Sequence, residues 1–330
     1  MIKVFTLTLA AMLIQGCTTS RNIDNIGTHI SNQYQLPSNY KDHRAQQQLF
    51  TLENGSQIAF TDHGEGDVLV LLHGVPTSSW MYRKMIPTLQ NHFRVITIDL
   101  LGYGSSSKPE NKNAIYSDSS QANYVQQLLN SLGVDNYSLL FHDMGGLVAW
   151  QMLRNDVTTE NSKQHIDNLM VLNTIVREEG FNHPNFELDI FTRLMTDAYE
   201  NRVTSALVLE QTFENMGLGE HELSEQECAG YVKPMTEGSS DALFAFYSHI
   251  DDRLFSQLEI NAVVFEKFTG ETLVFWGAKD ETLTTQQIPF LIDHLKIPDE
   301  NVFIFENNAH FLAEEIPDIL TNTIVKTLIQ

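Results

Sequence analysis

The sequence predicts an α/β protein: a mostly parallel sheet of eight strands flanked by helices, interrupted once by a helical insertion. Three observations carry that expectation. Short, continuous apolar runs alternate with segments whose apolar residues recur at helical spacing, the pattern of strands buried on both faces. One such run, Leu139-Leu140-Phe141, passes through His142-Asp143-Met144 into Gly145-Gly146 and an apolar helical segment, reading as strand, sharp turn and helix. The alternation fails between about Arg177 and Glu266, where helical segments occur without a convincing strand.

A chain of 330 residues accommodates one large α/β domain with an insertion, or two domains. Hydrophobic residues make up 42% and charged residues 19%, which suits a folded globular protein. The formal net charge of -22 excludes a nucleic-acid binder, since no basic stripe could neutralise phosphates. It equally excludes adhesion to anionic lipid through charge and suits a solvated surface in a saline or extracytoplasmic setting.

Taken in order, Met1-Ile2-Lys3 supplies a positive start and Val4 to Ile14 is an apolar run too short to span a bilayer, followed by Gln15-Gly16-Cys17. This resembles a bacterial lipoprotein signal peptide. The resemblance implies cleavage after residue 16, lipid on Cys17, and attachment to membrane in the bacterial cell envelope at its periplasmic face; without the lipid, a plain secretory peptide implies a secreted protein. Residues 17–46, rich in Ser, Thr, Asn and Gln at first, read as a flexible tether. Cys228 is the one other cysteine, so no disulfide framework is expected.

Gln48 to Leu52, Asn54-Gly55 and Gln57 to Thr61 read as a hairpin closed by a two-residue turn. Val68 to Leu72 and Phe93 to Ile98 are further strands, separated by the helical spacing of Tyr82, Ile86 and Leu89. Ala122, Val125, Leu129 and Leu132 form a helix before the Leu139 strand. Leu169 to Asn173, Thr272 to Trp276 and Val302 to Phe305 complete the sheet, and Ile316, Leu320, Ile324 and Leu328 mark a last helix. The core is therefore expected over 47–176 and 267–330, and the insertion over 177–266, with helices such as Leu188 to Tyr199 and Ala242 to Leu258.

The chemistry-bearing segments lie at strand ends, where ligands of such sheets bind. They are His73-Gly74-Val75-Pro76, His142-Asp143-Met144, Gly277-Ala278-Lys279-Asp280 and Asn308-Ala309-His310 through Glu315. Together they resemble the α/β-hydrolase fold, in the epoxide hydrolase and haloalkane dehalogenase branch. His73 to Pro87 and the bulky Phe141 look like the dehalogenase side. By that resemblance the insertion is a helical lid, Asp143 is the nucleophile, His310 the base that activates water, and Asp280 the acid that orients it. The backbone N–H groups of Val75 and Met144 form the oxyanion hole.

Aspartate in place of serine changes the reaction. With an ordinary pKa of about 3.9 it is already an anion, and attack at a saturated carbon leaves a hydrolysable alkyl ester. The expected activity is epoxide hydrolysis, with a haloalkane dehalogenase-like hydrolase as the alternative and a non-catalytic binding protein as the alternative of another class. The halide-holding tryptophan and asparagine positions of the family hold Met144 and Val75 here. An epoxide instead requires a proton donor, for which Tyr247, Tyr199 and Tyr231 of the lid are candidates, with His183, His221 and His249 beside them. Met144, Val75 and an apolar lid imply a small hydrophobic substrate. No ligand-spaced cluster or phosphate-binding glycine loop implies a metal or cofactor.

Overall fold

Apolar strands placed centrally in the chain become the centre of the sheet. In the computed structural model, which describes residues 33–110, 113–159, 162–182, 189–198, 207, 218–219, 221–250 and 252–329, eight strands form one sheet. They are β1 (Gln48–Thr51), β2 (Gln57–His63), β3 (Val68–Leu72), β4 (Arg94–Asp99), β5 (Asn136–Asp143), β6 (His165–Thr174), β7 (Glu271–Gly277) and β8 (Val302–Phe305). The order is β1-β2-β4-β3-β5-β6-β7-β8. The two pairs that involve β2 are antiparallel and the other five are parallel.

The chain runs outward from β3 to β4 and then returns to place β5 on the other side of β3. That reversal opens a crevice beyond the carboxyl ends of β3 and β5. After the short helices α1 (Tyr40–Arg44) and α2 (Ile86–Leu89), helix α3 (Asp118–Ser131), capped by Ser117, packs beside helix α4 (Gly145–Thr158), which lies on β3, β5 and β6. The inner residues of β3 and β5 are fully buried, which is why both read as unbroken apolar runs.

Helices Asp189–Ala198, Glu225–Met235, Ser240–Ser248 and Asp252–Phe265 lie between β6 and β7 in the chain. Ala242 to Leu258 is thus two helices, not one: the first closes at His249, whose backbone N–H donates to Phe246 O at 3.0 Å. No helix among the described residues is long and apolar enough to cross a membrane.

Two other expectations are corrected. Residues 33–46 are not flexible tether. Tyr34, Tyr40 and His43 are buried, helix α1 (Tyr40–Arg44) starts at an Asn39 cap, and the His43 ring bridges the Tyr34 hydroxyl at 2.8 Å and Ser79 at 3.0 Å. Aromatic burial outweighed the polar composition. The hairpin turn is also longer than two residues, because Gly55 alone adopts positive φ, at 84°, while Asn54 does not. Its N–H donates to Leu52 O at 2.9 Å, giving a three-residue loop with a glycine bulge. Cys17 and Tyr199 lie outside the described residues.

Candidate active site

Asp143 ends β5 with φ of 51°, a left-handed conformation uncommon for a residue other than glycine. Close packing holds it there. A Cβ on Gly74 would fall 2.4 Å from Asp143 Cβ, and one on Gly146 would fall 1.8 Å from Thr174 Oγ1. Both glycines are therefore required by proximity. The Thr174 hydroxyl donates to Asp143 O at 2.6 Å, pinning the bend from the neighbouring strand.

The two carboxylate oxygens of Asp143 differ in surroundings. Oδ1 accepts the Val75 N–H at 2.8 Å, and the Met144 N–H also bonds to the carboxylate. Oδ2 faces His310 Nε2 at 3.9 Å, beyond hydrogen-bond range. Among the described residues that nitrogen has no hydrogen-bond partner although it is buried. On the opposite edge of the ring, Nδ1–H donates to Asp280 Oδ2 at 2.6 Å.

Asp280 is itself fixed from three sides. Its Oδ1 accepts the Thr282 and Leu283 N–H groups, each at 2.9 Å, and its Oδ2 accepts Asn173 Nδ2–H at 2.7 Å. Asn173 is oriented in turn by the Gly277 N–H, which donates to its Oδ1 at 2.8 Å. His142 supports His310 from behind, with ring centroids 4.5 Å apart and its Nε2–H donated to His310 O at 2.9 Å. Glu315 accepts the Ala309 N–H and stiffens the loop before His310.

Burial dominates the electrostatics. It raises the Asp143 pKa above the ordinary carboxylate value, against the opposing pull of the His310 imidazole and the two backbone donors. The ordinary value assumed from sequence is thereby corrected upward. For His310, burial alone would lower the pKa; the Asp280 carboxylate, by charge and hydrogen bond, outweighs it and leaves the imidazole raised. Burial drives His142 well below its ordinary value, so it is neutral. The chemical capacity is an anion at a sharp bend, two backbone N–H donors on its carboxylate, that of Val75 on Oδ1, and a buried imidazole beside Oδ2.

The proposed proton donors are placed differently from the sequence expectation. Tyr231 is buried and donates its hydroxyl to Glu314, within a cluster that includes Arg83, so it cannot serve the site. Tyr247 packs against the Phe246 ring and does not line the cavity beside the elbow. His183 lies outside the described residues, and His221 sits 3.4 Å from Lys84 Nζ. His249 does line that cavity, as do Tyr103 and Tyr116 from the core. Tyr103 donates its hydroxyl to Met144 Sδ at 3.8 Å, a weak bond next to Asp143.

The cavity measures about 290 Å³ and reaches the elbow through Met144. All three tryptophans spend their indole N–H on backbone carbonyls: Trp80 on Glu227, Trp150 on Ile175 and Trp276 on Leu283. Asn173, Thr174 and His142 are the supporting residues that sequence reasoning missed. The sole signal was their position beside the elbow or at the end of the sixth strand.

The chain is 40% identical over 91 residues to a haloalkane dehalogenase of Agrobacterium fabrum, a match covering 28% of this chain and 29% of that protein. It is 24% identical over 275 residues to epoxide hydrolase 4 of Mus musculus, covering 78% of this chain and 71% of that protein. Among solved structures, an alpha/beta hydrolase fold protein from Burkholderia ambifaria superposes with a TM-score of 0.67 at 22% identity, over 84% of this chain and 96% of that one. The alpha/beta hydrolase fold family model matches residues 67–317. With that span and this sheet, the chain belongs to the α/β-hydrolase fold family of enzymes.

Proposed function

We propose that this hydrolase opens a bond at a saturated carbon by forming an alkyl ester on Asp143, and that epoxides are its substrates. The observation that carries the reading is the division of labour around one carboxylate: Oδ1 held by the Val75 N–H at 2.8 Å, Oδ2 beside His310 Nε2 at 3.9 Å. Asp143 Oδ2 attacks carbon, the C–O bond of the ring breaks, and the departing alkoxide takes a proton from a donor in the cavity. We assign this role to Tyr103, which lines the cavity next to Met144; His249, whose Nδ1–H is held by Ala245 O, would serve only as the imidazolium. Water then loses a proton to His310 Nε2 and adds to the ester carbonyl, while Asp280 stabilises the imidazolium. The oxyanion is met by the Val75 and Met144 N–H groups. Collapse expels the ester oxygen as an alkoxide, which takes the His310 imidazolium proton and leaves as the diol; the Asp143 carboxylic acid then returns a proton to the cavity donor and is again a carboxylate.

A halide would instead need free N–H donors in a dry pocket. With the N–H of Trp80, Trp150 and Trp276 committed to carbonyls, epoxide is favoured over haloalkane. We also propose a lipid anchor on Cys17, on the strength of the Ile14-Gln15-Gly16-Cys17 sequence.

The test is intact-protein mass spectrometry of Asp143→Asn and His310→Gln after exposure to a panel of epoxides and haloalkanes, with wild type scored for diol and halide. An alkyl adduct accumulating in His310→Gln and absent from Asp143→Asn is expected. Binding without adduct or turnover would instead support a non-catalytic binding protein, and halide release without diol from epoxides would reverse the substrate order.

A further inference from the structure

Helix α4 presents Met144, Leu147, Gln151 and Arg154 to the cavity at spacings of three and four, a single stripe of one helix. The helix Asp252–Phe265 faces it with Leu254, Leu258 and Asn261, again one stripe. The cavity therefore runs between these two helices, with the segment from Tyr116 to Gln121 and the residues Ala242, Phe246 and His249 forming further walls, and it extends from Met144, the residue after Asp143, to Arg154, about 15 Å along the α4 axis by the rise of 1.5 Å per residue.

Its two ends differ in charge. Asp118, in the first turn of α3, lies toward the elbow, since Tyr103 beside Met144 feels the charges of both Asp143 and Asp118; burial lifts the Asp118 carboxyl to about 6, opposed by His249. At the far end lies Arg154. Its Nη2–H donates to Asn261 Oδ1 at 2.8 Å, its Nε–H is buried without an acceptor, and it pairs with no carboxylate among the described residues. A guanidinium held by a neutral amide, inside a chain of net charge -22, is a recess in which an anion replaces the lost solvation.

We infer that the channel takes an elongated substrate whose distal end carries a carboxylate, bound by Arg154 and positioned by Asn261, with its reactive carbon at Asp143. The acid at the elbow end repels a carboxylate there and so sets the direction of entry. Allowing for an arginine side chain leaning toward the helix N-terminus, the carboxylate and reactive carbon are on the order of 10 Å apart. The apolar side chains between them, Leu147, Leu254 and Leu258, suit an alkyl linker.

The inference takes the direction of binding from the proposed role of Asp143, so its test uses a probe that carries no reactive carbon. Isothermal titration of the whole protein with decanoate and with decan-1-ol is expected to give at least tenfold tighter binding of the acid. Arg154→Gln is expected to erase that preference, Arg154→Lys to keep part of it, and Asn261→Leu to weaken it. A merely structural arginine would move both ligands together. Equal affinities in wild type, or an unchanged preference in Arg154→Gln, overturn the inference. Decanoate selectivity without any alkyl adduct on Asp143 would leave the channel assignment standing and remove the proposed reaction. Turnover of neutral epoxides with no preference for an ω-epoxy acid would do the reverse.

Discussion

At the residue scale, the pH dependence separates the roles of Asp143 and His310. In the proposed reaction Asp143 attacks only as an anion and His310 is the base; the Asp143 pKa is raised by burial, so alkylation should rise with pH through a value above the ordinary carboxylate range. His310 accepts a proton only when neutral. Because the Asp280 carboxylate raises it against burial, ester hydrolysis should rise with pH through a value above 6.5, the ordinary histidine pKa. Asp280→Asn removes the main cause of that raising. It should shift the hydrolytic limb downward and slow turnover about 10⁴-fold, as loss of a triad acid does elsewhere. Single-turnover kinetics across pH read both limbs separately; an unmoved limb in Asp280→Asn would show that Asp280 does not act through the imidazole.

At the element scale, a buried ionic cluster joins the helix Glu225–Met235 to the core. Arg83, with its side chain 2% exposed, meets Glu227 at 2.8 Å and also pairs with Glu314, whose side chain is fully buried. Lys84 lies 2.7 Å from Glu227 and 2.9 Å from Glu314. Tyr231 donates to the same Glu314, and Arg83 stacks 4.2 Å above the Trp80 ring. Removing one partner strands a buried charge, so Glu314→Gln should cost about 3–5 kcal/mol in chemical denaturation. Arg83→Met together with Glu314→Leu should cost less than the two singles summed. Strict additivity in that cycle would mean the groups are not coupled.

At the scale of the whole molecule, a strongly acidic protein is proposed to be held at a membrane through Cys17 alone, with the packed body beginning by Tyr34. Cys17→Ser should abolish labelling by radioactive palmitate in a bacterial host and move the protein from the membrane to the soluble fraction. An unlabelled wild-type protein found in the medium would replace the anchor with simple secretion. The body itself uses its N-terminal segment as structure. Burial of Tyr34, Tyr40 and His43 against the Trp80 region makes residues 33–46 part of the folded unit despite their polar composition.

The chain alone determined the sheet, because β3, β5, β6 and β7 are buried on both faces and so had to be written as apolar runs. It also determined which residues stand at the strand ends, since each apolar run passes directly into His73-Gly74, His142-Asp143 or Gly277, whereas the crowding that requires glycine at 74 and 146 comes from Asp143 and Thr174 across the fold. Only the tertiary structure decided that Asn173 orients Asp280, that Tyr231 belongs to an ionic cluster and not to the site, and that Asp118 and Arg154 line one cavity. Those relations join residues far apart in the chain. A polar side chain carries no local sign of the partner that folding brings to it, whereas hydrophobic periodicity is set by neighbours in sequence.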